Sequence, residues 1–324
     1  TTNYGIFLSA ASDNQIIGNN ITTNGTTKSG TTNNWGIHLA VNSEKNVINN
    51  NTIYTDGGGL NYGLSLITNS RNNNYTKNNV FSGGNGTTNI GAYVSGSHYN
   101  SFQDNVFSTS GTATDYGFYL HSSSRNNIVK NNNISTAGGT NSHAFDFLFV
   151  TPGYPESNLI DGNNLLSIAG RDLNFETASI NSTYLIDQSI GNYSFTGVGG
   201  TLNIKNTSAG EIIFLNLLSG TNTTFSDRIF VTNNFARIDE YTTLLNKSAE
   251  ITLYNIPTAS TELQIIRNGV VCPASICTNL TSMQAGNVTF NVTGGGNYSI
   301  NSSSAIPAVT LNLPAEGFNA PYKD

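Results

Sequence analysis

Apolar and polar positions in the first half of the chain recur in a template, Asn-x-Φ-x-x-Asn-x-Φ, with Φ apolar or aromatic. It begins at Asn14, Asn46, Asn73, Asn100, Asn127 and Asn158, at intervals of 32, 27, 27, 27 and 31 residues. A period of this size marks a solenoid. Each copy is preceded by a short Gly-Φ-x-Φ run: Gly5 to Leu8, Gly36 to Leu39, Gly63 to Leu66, Gly91 to Val94 and Gly117 to Leu120. A sixth run, Ala144 to Phe147, has Ala in the glycine position. Apolar residues alternate with a variable one, which predicts a strand with one buried face. No sustained apolar spacing of three and four occurs, so helix is not expected.

A rung of this kind cannot bury its own apolar face, but stacked rungs share a continuous core at a strand spacing of about 4.8 Å. Equivalent residues then form columns. One apolar column is Ile16, Ile48, Tyr75, Phe102, Val129 and Ile160; another is Ile21, Ile53, Val80, Phe107, Ile134 and Leu165. Asparagine makes two more: Asn14, Asn46, Asn73, Asn100, Asn127, Asn158, and Asn19, Asn51, Asn78, Asn105, Asn132, Asn163. An amide both donates and accepts, so aligned Asn side chains can bond along the stack, and Asn tolerates the left-handed backbone of tight bends. The ladders are read as structural.

This pattern, over residues 1–167, resembles the right-handed parallel β-helix repeats shared by pectate-lyase-type enzymes, periplasmic NosD-like proteins and large archaeal surface proteins. The resemblance implies the fold; it does not choose among the functions the fold hosts. The expected class is all-β, a right-handed parallel β-helix followed by a small antiparallel unit.

Four regions are expected. Residues 1–167 form the regular β-helix, with insertions at 22–35 and 148–157. Residues 168–256 continue as less regular rungs, or alternatively as a β-sandwich. Residues 257–304 form an antiparallel cap, because Asn268-Gly269 between apolar runs is a strong hairpin signal. Residues 305–324 read as a linker and the start of a further β domain. The chain opens in mid-rung, which suggests a piece of a longer precursor or an end covered by another subunit.

Cys272 and Cys277 are the two cysteines. Their spacing suits a small-loop disulfide in an oxidising compartment, and a metal would need more ligands than the surroundings supply. The order Asn268, Gly269, Cys272, Cys277 and Phe290 to Thr293 is similar to a module that follows β-helix repeats in archaeal surface proteins.

Composition narrows the partners. Charged residues make up 10% of the chain and the net charge is −6. The 13 Lys and Arg are scattered, so no nucleic-acid surface is expected. No apolar run is long enough to span a membrane as a helix. Sixteen Asn-x-Ser/Thr sequons occur. The candidates for N-glycosylation are Asn24, Asn85, Asn181, Asn192, Asn206, Asn222, Asn246, Asn279, Asn287, Asn291, Asn297 and Asn301, with Asn20, Asn50 and Asn133 usable if they point outward.

Catalytic groups do not assemble in the sequence. The variable column Phe7, His38, Ser65, Tyr93, Tyr119, Asp146 holds one carboxylate and no basic cluster, whereas a Ca²⁺-dependent lyase needs several acids and a base. Lys77, Asp104, Lys130 and Asp161, near the second Asn of successive rungs, are expected to form a solvated charge ladder. His38, His121 and His143 are expected to be surface residues that could only weakly suggest a metal. Tyr93 and Tyr119, one rung apart, could stack on a sugar. No catalytic residue, metal or cofactor is therefore expected beyond covalent glycans. The expected function is an extracellular, N-glycosylated structural protein that self-associates in a filament, sheath or surface layer, with surface glycans as a further partner. The alternative is a carbohydrate-active β-helix enzyme or a sugar-binding module.

Overall fold

Each repeat folds as three short strands, one in each of three sheets, so the chain coils as a three-sided β-helix in the computed structural model. The structure describes residues 2–302 apart from 26–32, 113, 149, 151–152, 177–181, 197–200, 217, 223 and 259–261. Part of the 22–35 insertion, Pro152 in the 148–157 insertion, the sequon at Asn181 and the region 305–324 lie outside the described residues.

The first sheet stacks Thr2–Ser9, Asn33–Ala40, Leu60–Ile67, Thr88–Ser95, Thr114–His121, His143–Leu148, Arg171–Glu176 and Tyr193–Thr196 in parallel. The second begins with Gln15–Ile17 and runs through the strands of the first apolar column. The third holds six strands, from Asn20–Asn24 to Asn164–Ser167, and so marks six turns. The registers align Ile48 with Tyr75, Tyr75 with Phe102, Ile53 with Val80 and Val80 with Phe107, matching the columns read from the template.

The marker glycines have a packing reason. A Cβ at Gly36 would meet Ile53 Cγ2 at 2.2 Å, one at Gly63 would meet Val80 Cγ1 at 2.0 Å, and one at Gly117 would meet Ile134 Cγ2 at 2.4 Å. The first-sheet strand therefore passes close over the third-sheet column, and these rungs have no room for a side chain there; the sixth carries the small, fully buried Ala144 instead. The chain bends there, so strict alternation breaks: Gly36 and the fully buried Ile37 both face inward, while Trp35 and His38 share the outer face.

Asparagine ladders close the corners. Asn46 Nδ2 donates to Asn73 Oδ1 at 2.9 Å, Asn73 to Asn100 at 3.0 Å and Asn100 to Asn127 at 3.1 Å. The same oxygens also accept backbone N–H groups, as from Asn73 N to Asn100 Oδ1 at 3.0 Å. The second ladder behaves alike and ends on Gln188, whose Oε1 takes the place of the next Asn oxygen. The left-handed backbone falls elsewhere than expected. It lies on the residue before each ladder Asn, as at Lys45, Asn72 and Asn126 (φ 58°, 56° and 57°). The ladder amides satisfy the bend's backbone; they do not supply its positive φ.

A third ladder, Asn3, Asn34, Asn61, Asn89 and Asp115, runs at the start of the first sheet, with contacts of 2.8–2.9 Å. Burial raises the pKa of Asp115, against the hydrogen bonds from Asn89 that favour its charged form.

Beyond Leu202–Asn206 the pairing turns antiparallel: Gly210–Phe214, Ala249–Leu253, Val288–Val292 and Cys277–Asn279 extend the second sheet. A separate five-stranded antiparallel sheet joins Phe230–Thr232, Phe235–Ile238, Gly296–Ser302, Leu263–Arg267 and Val270–Val271. Asn268 and Gly269 turn the last hairpin, both at positive φ. Cys272 and Cys277 are bonded to each other across a Cα separation of 5.9 Å.

Candidate functional site

The bend at each marker glycine puts residues three apart on one strand side by side on the outer face of the first sheet. Tyr4 stacks on Phe7 at 4.9 Å between ring centroids, Trp35 lies 4.2 Å from His38, and Tyr116 stacks on Tyr119 at 4.5 Å. Contacts between rungs join these pairs. Tyr4 meets Trp35 at 5.1 Å, Trp35 is parallel to Tyr62 at 5.7 Å, Tyr62 meets Tyr93 at 5.1 Å and Tyr93 meets Tyr119 at 5.6 Å. The result is a belt of touching rings that crosses six strands and ends at His143, 5.9 Å from Tyr116.

A groove of about 690 Å³ runs beside the belt. Its wall carries Trp35, Tyr62 and Tyr93, and Ser65, Ser95 and Ser122 supply hydroxyls. No Lys, Arg, Asp or Glu lines it among the described residues. Trp35 Nε1, His38 Nδ1 and Ser65 Oγ are buried without hydrogen-bond partners, whereas the hydroxyls of Tyr93, Ser95 and Ser122 meet His121 Nδ1 at 3.3, 3.1 and 2.8 Å. Rings that offer flat faces with hydroxyls at their edge suit a sugar, whose own faces are apolar and whose rim is hydroxylated.

The histidines differ from the expectation of surface polar residues. His38 is 2% exposed and His143 7%. Burial lowers the pKa of each to about 4, so both are neutral near pH 7. The ring contacts described above account for their burial.

At the end of the belt His143, Asp146 and Glu176 bring one ligand atom each within 4.8 Å of one another. Asp146 is 1% exposed, and burial, then the Glu176 carboxylate, raises its pKa well above the usual range. Asn174 Nδ2 spans the two acids, donating to Asp146 Oδ2 at 3.3 Å and Glu176 Oε1 at 3.1 Å. His143 Nε2 faces Asp146 Oδ2 at 3.9 Å, and its Nδ1 lies 3.3 Å from the Arg171 N–H, which donates at 3.1 Å to the Ser142 carbonyl. Asp146 does not line the groove.

The expected charge ladder is also corrected. Lys130 and Asp161 pair at 2.6 Å, but they face each other on the second-sheet strands. Lys77 and Asp104 occupy left-handed bend positions instead, in line with Asn131 and Gly162. A different column carries Glu44–Arg71 at 2.9 Å and Arg125–Glu156 at 3.5 Å.

The sequons before residue 177, at Asn20, Asn24, Asn50, Asn74, Asn85 and Asn133, are all exposed. They lie on the second and third sheets or on turns, and none projects from the aromatic face. Further along, Asn246, Asn279, Asn287, Asn297 and Asn301 are exposed, while Asn192, Asn206 and Asn291 are half-buried. Asn222 lies in a described strand.

No family model and no curated protein matches the sequence. Among solved structures, the crystal structure of the Dettilon tailspike protein (gp208) is similar over 93% of this chain and 88% of that chain, with 9% identity and a TM-score of 0.26. No helix among the described residues is long and apolar enough to cross a membrane.

Proposed function

We propose that the chain is the rigid, non-catalytic scaffold of an extracellular surface protein that holds a neutral glycan chain along the aromatic belt. The observation that carries this reading is the continuous ring path beside an uncharged, hydroxyl-lined groove. A repeating polymer suits a repeating platform, and the absence of Lys and Arg from the groove lining among the described residues disfavours acidic glycans. The test is affinity electrophoresis and calorimetry with neutral polysaccharides (mannan, laminarin, cellulose oligomers), with product analysis on the same samples. Retention by the wild type, weakened in Trp35→Ala and Tyr62→Ala and without chain cleavage, supports the reading. Absence of retention across the panel, or retention untouched by both substitutions, overturns it, and released oligosaccharides would make the protein an enzyme.

N-glycosylation of the exposed sequons other than Asn24 and Asn85, and self-association in a surface polymer, belong to the same proposal. Support comes from the sequons' placement on faces away from the belt, which leaves the aromatic face bare. Glycopeptide mass spectrometry and negative-stain imaging of native material decide both; dispersed, unmodified particles would remove this part of the proposal.

A further inference from the structure

A second, separate feature lies on the third sheet. Its outer column aligns Thr22 with Tyr54, Tyr54 with Phe81 and Phe81 with Ser108. Tyr54 and Phe81 stack at 5.0 Å with ring planes 13° apart, and they are 43% and 36% exposed. Water normally drives two such rings into a core; here they form a bare platform.

Beside it two contiguous hollows of about 330 and 640 Å³ share Asn24, Asp56, Gly83 and Ser110. Glycine forms much of the floor. A Cβ at Gly84 would lie 2.5 Å from Asp56 Oδ1 and 2.5 Å from the Gly57 carbonyl oxygen, so any side chain there would displace Asp56 and the neighbouring rung that border the trough. Gly84 also has φ +112°, a backbone that disfavours other residues. Asp56, Asn24 and Asn85 border the trough. All three are exposed.

We propose that this trough binds one hexopyranose unit of a separate, uncharged glycan. The apolar face of the sugar lies on the Tyr54–Phe81 pair. Two neighbouring hydroxyls donate to the Asp56 carboxylate, and the amides of Asn24 and Asn85 donate to sugar oxygens. A carboxylate accepts two hydroxyl hydrogens at once, which an aliphatic or aromatic ligand cannot offer. The site stands apart from the first-sheet belt and does not depend on it.

Asn24 and Asn85 are also sequon residues, so the test uses the 324-residue chain made in a bacterial host, without N-glycans. Saturation-transfer NMR is run with the methyl glycosides of mannose, glucose, galactose and N-acetylglucosamine. At least one should receive saturation from the wild type, with affinity falling about tenfold or more in Tyr54→Ala/Phe81→Ala. Asp56→Asn and Gly84→Ala should weaken it too, while Trp35→Ala/Tyr62→Ala leaves it unchanged. Thermal melts check that each variant is folded, and Asp56→Asn, an exposed near-isostere, keeps the test valid if another variant fails. Transfer to none of the four sugars overturns the proposal. So does transfer unaffected by Asp56→Asn and Tyr54→Ala/Phe81→Ala, or lost only with the belt rings.

Discussion

Val80 Cγ1 sits 2.0 Å from where a Cβ on Gly63 would be. The pair belongs to a series, Gly5 with Ile21, Gly36 with Ile53 and Gly117 with Ile134, in which a β-branched side chain fills the space above a glycine. Gly63→Ala should therefore destabilise the β-helix by about 1–3 kcal/mol through overpacking. Gly63→Ala/Val80→Ala should cost less than the sum of the two single changes, because Val80→Ala removes the opposing methyls, while the Gly91 carbonyl oxygen, 2.8 Å from the added Cβ, still resists. A chemical-denaturation cycle measures both, and strict additivity would show that the two residues do not share this space.

The same series shows what could be read from the chain before folding. The six-turn solenoid, its apolar columns and the Asn268-Gly269 hairpin were legible because each rested on a local signal repeated or bounded by turn residues. The aromatic belt was half legible. Tyr93 and Tyr119 fell in the expected outward column, but Tyr4, Trp35, Tyr62 and Tyr116 did not, since period-two alternation assigns the residue before the marker glycine no partner three places on. An aromatic immediately before that glycine, in Tyr4-Gly5, Trp35-Gly36, Tyr62-Gly63 and Tyr116-Gly117, was the available signal. The third ladder was available too, in the Asn or Asp two residues before the same glycine. The change to antiparallel pairing after Leu202–Asn206 had no such marker, because an isolated strand carries the same alternation whichever way its neighbour runs.

Asn100 is fully buried, and its amide serves both neighbours. Nδ2 donates to Asn127 Oδ1 at 3.1 Å and to the Ser70 carbonyl at 3.0 Å, while Oδ1 accepts from the backbone and side chain of Asn73. Asn100→Ala would orphan several of these groups, at a cost of at least about 2 kcal/mol. Asn14→Ala, at an exposed rung, should cost clearly less. Comparing the two by urea denaturation checks the ladder's cooperative role, and equal effects would argue against it.

The Cys272–Cys277 bond closes a short loop beside the antiparallel sheet. Constraint of the unfolded chain by so short a loop contributes about 2 kcal/mol. Cys272→Ser/Cys277→Ser should lower the unfolding free energy by that order, read from denaturant curves. Proteolysis should then open near residues 270–280 before the solenoid, and cleavage first in the solenoid would contradict this.

Asp146 and the two buried histidines should pull stability in opposite directions with pH. Asp146 faces His143, Glu176, Asn174 and the Tyr116–Tyr119 pair, and its folded pKa lies above the unfolded one. Its contribution is thus fully present below the unfolded carboxylate value of 3.8 and is lost as pH rises through the folded pKa. His38 and His143 have folded values of about 4 against 6.5 unfolded, so their contribution is present above 6.5 and lost as pH falls toward 4. Asp146→Asn keeps the shape and removes the carboxylate. It should raise the melting temperature at pH 8, change it little at pH 3.5, and leave the histidine-driven loss between pH 6.5 and 4 in place. A thermal series from pH 8 to pH 3.5 reads all three arms, and a pH-independent effect of Asp146→Asn would mean that the buried acid does not govern them.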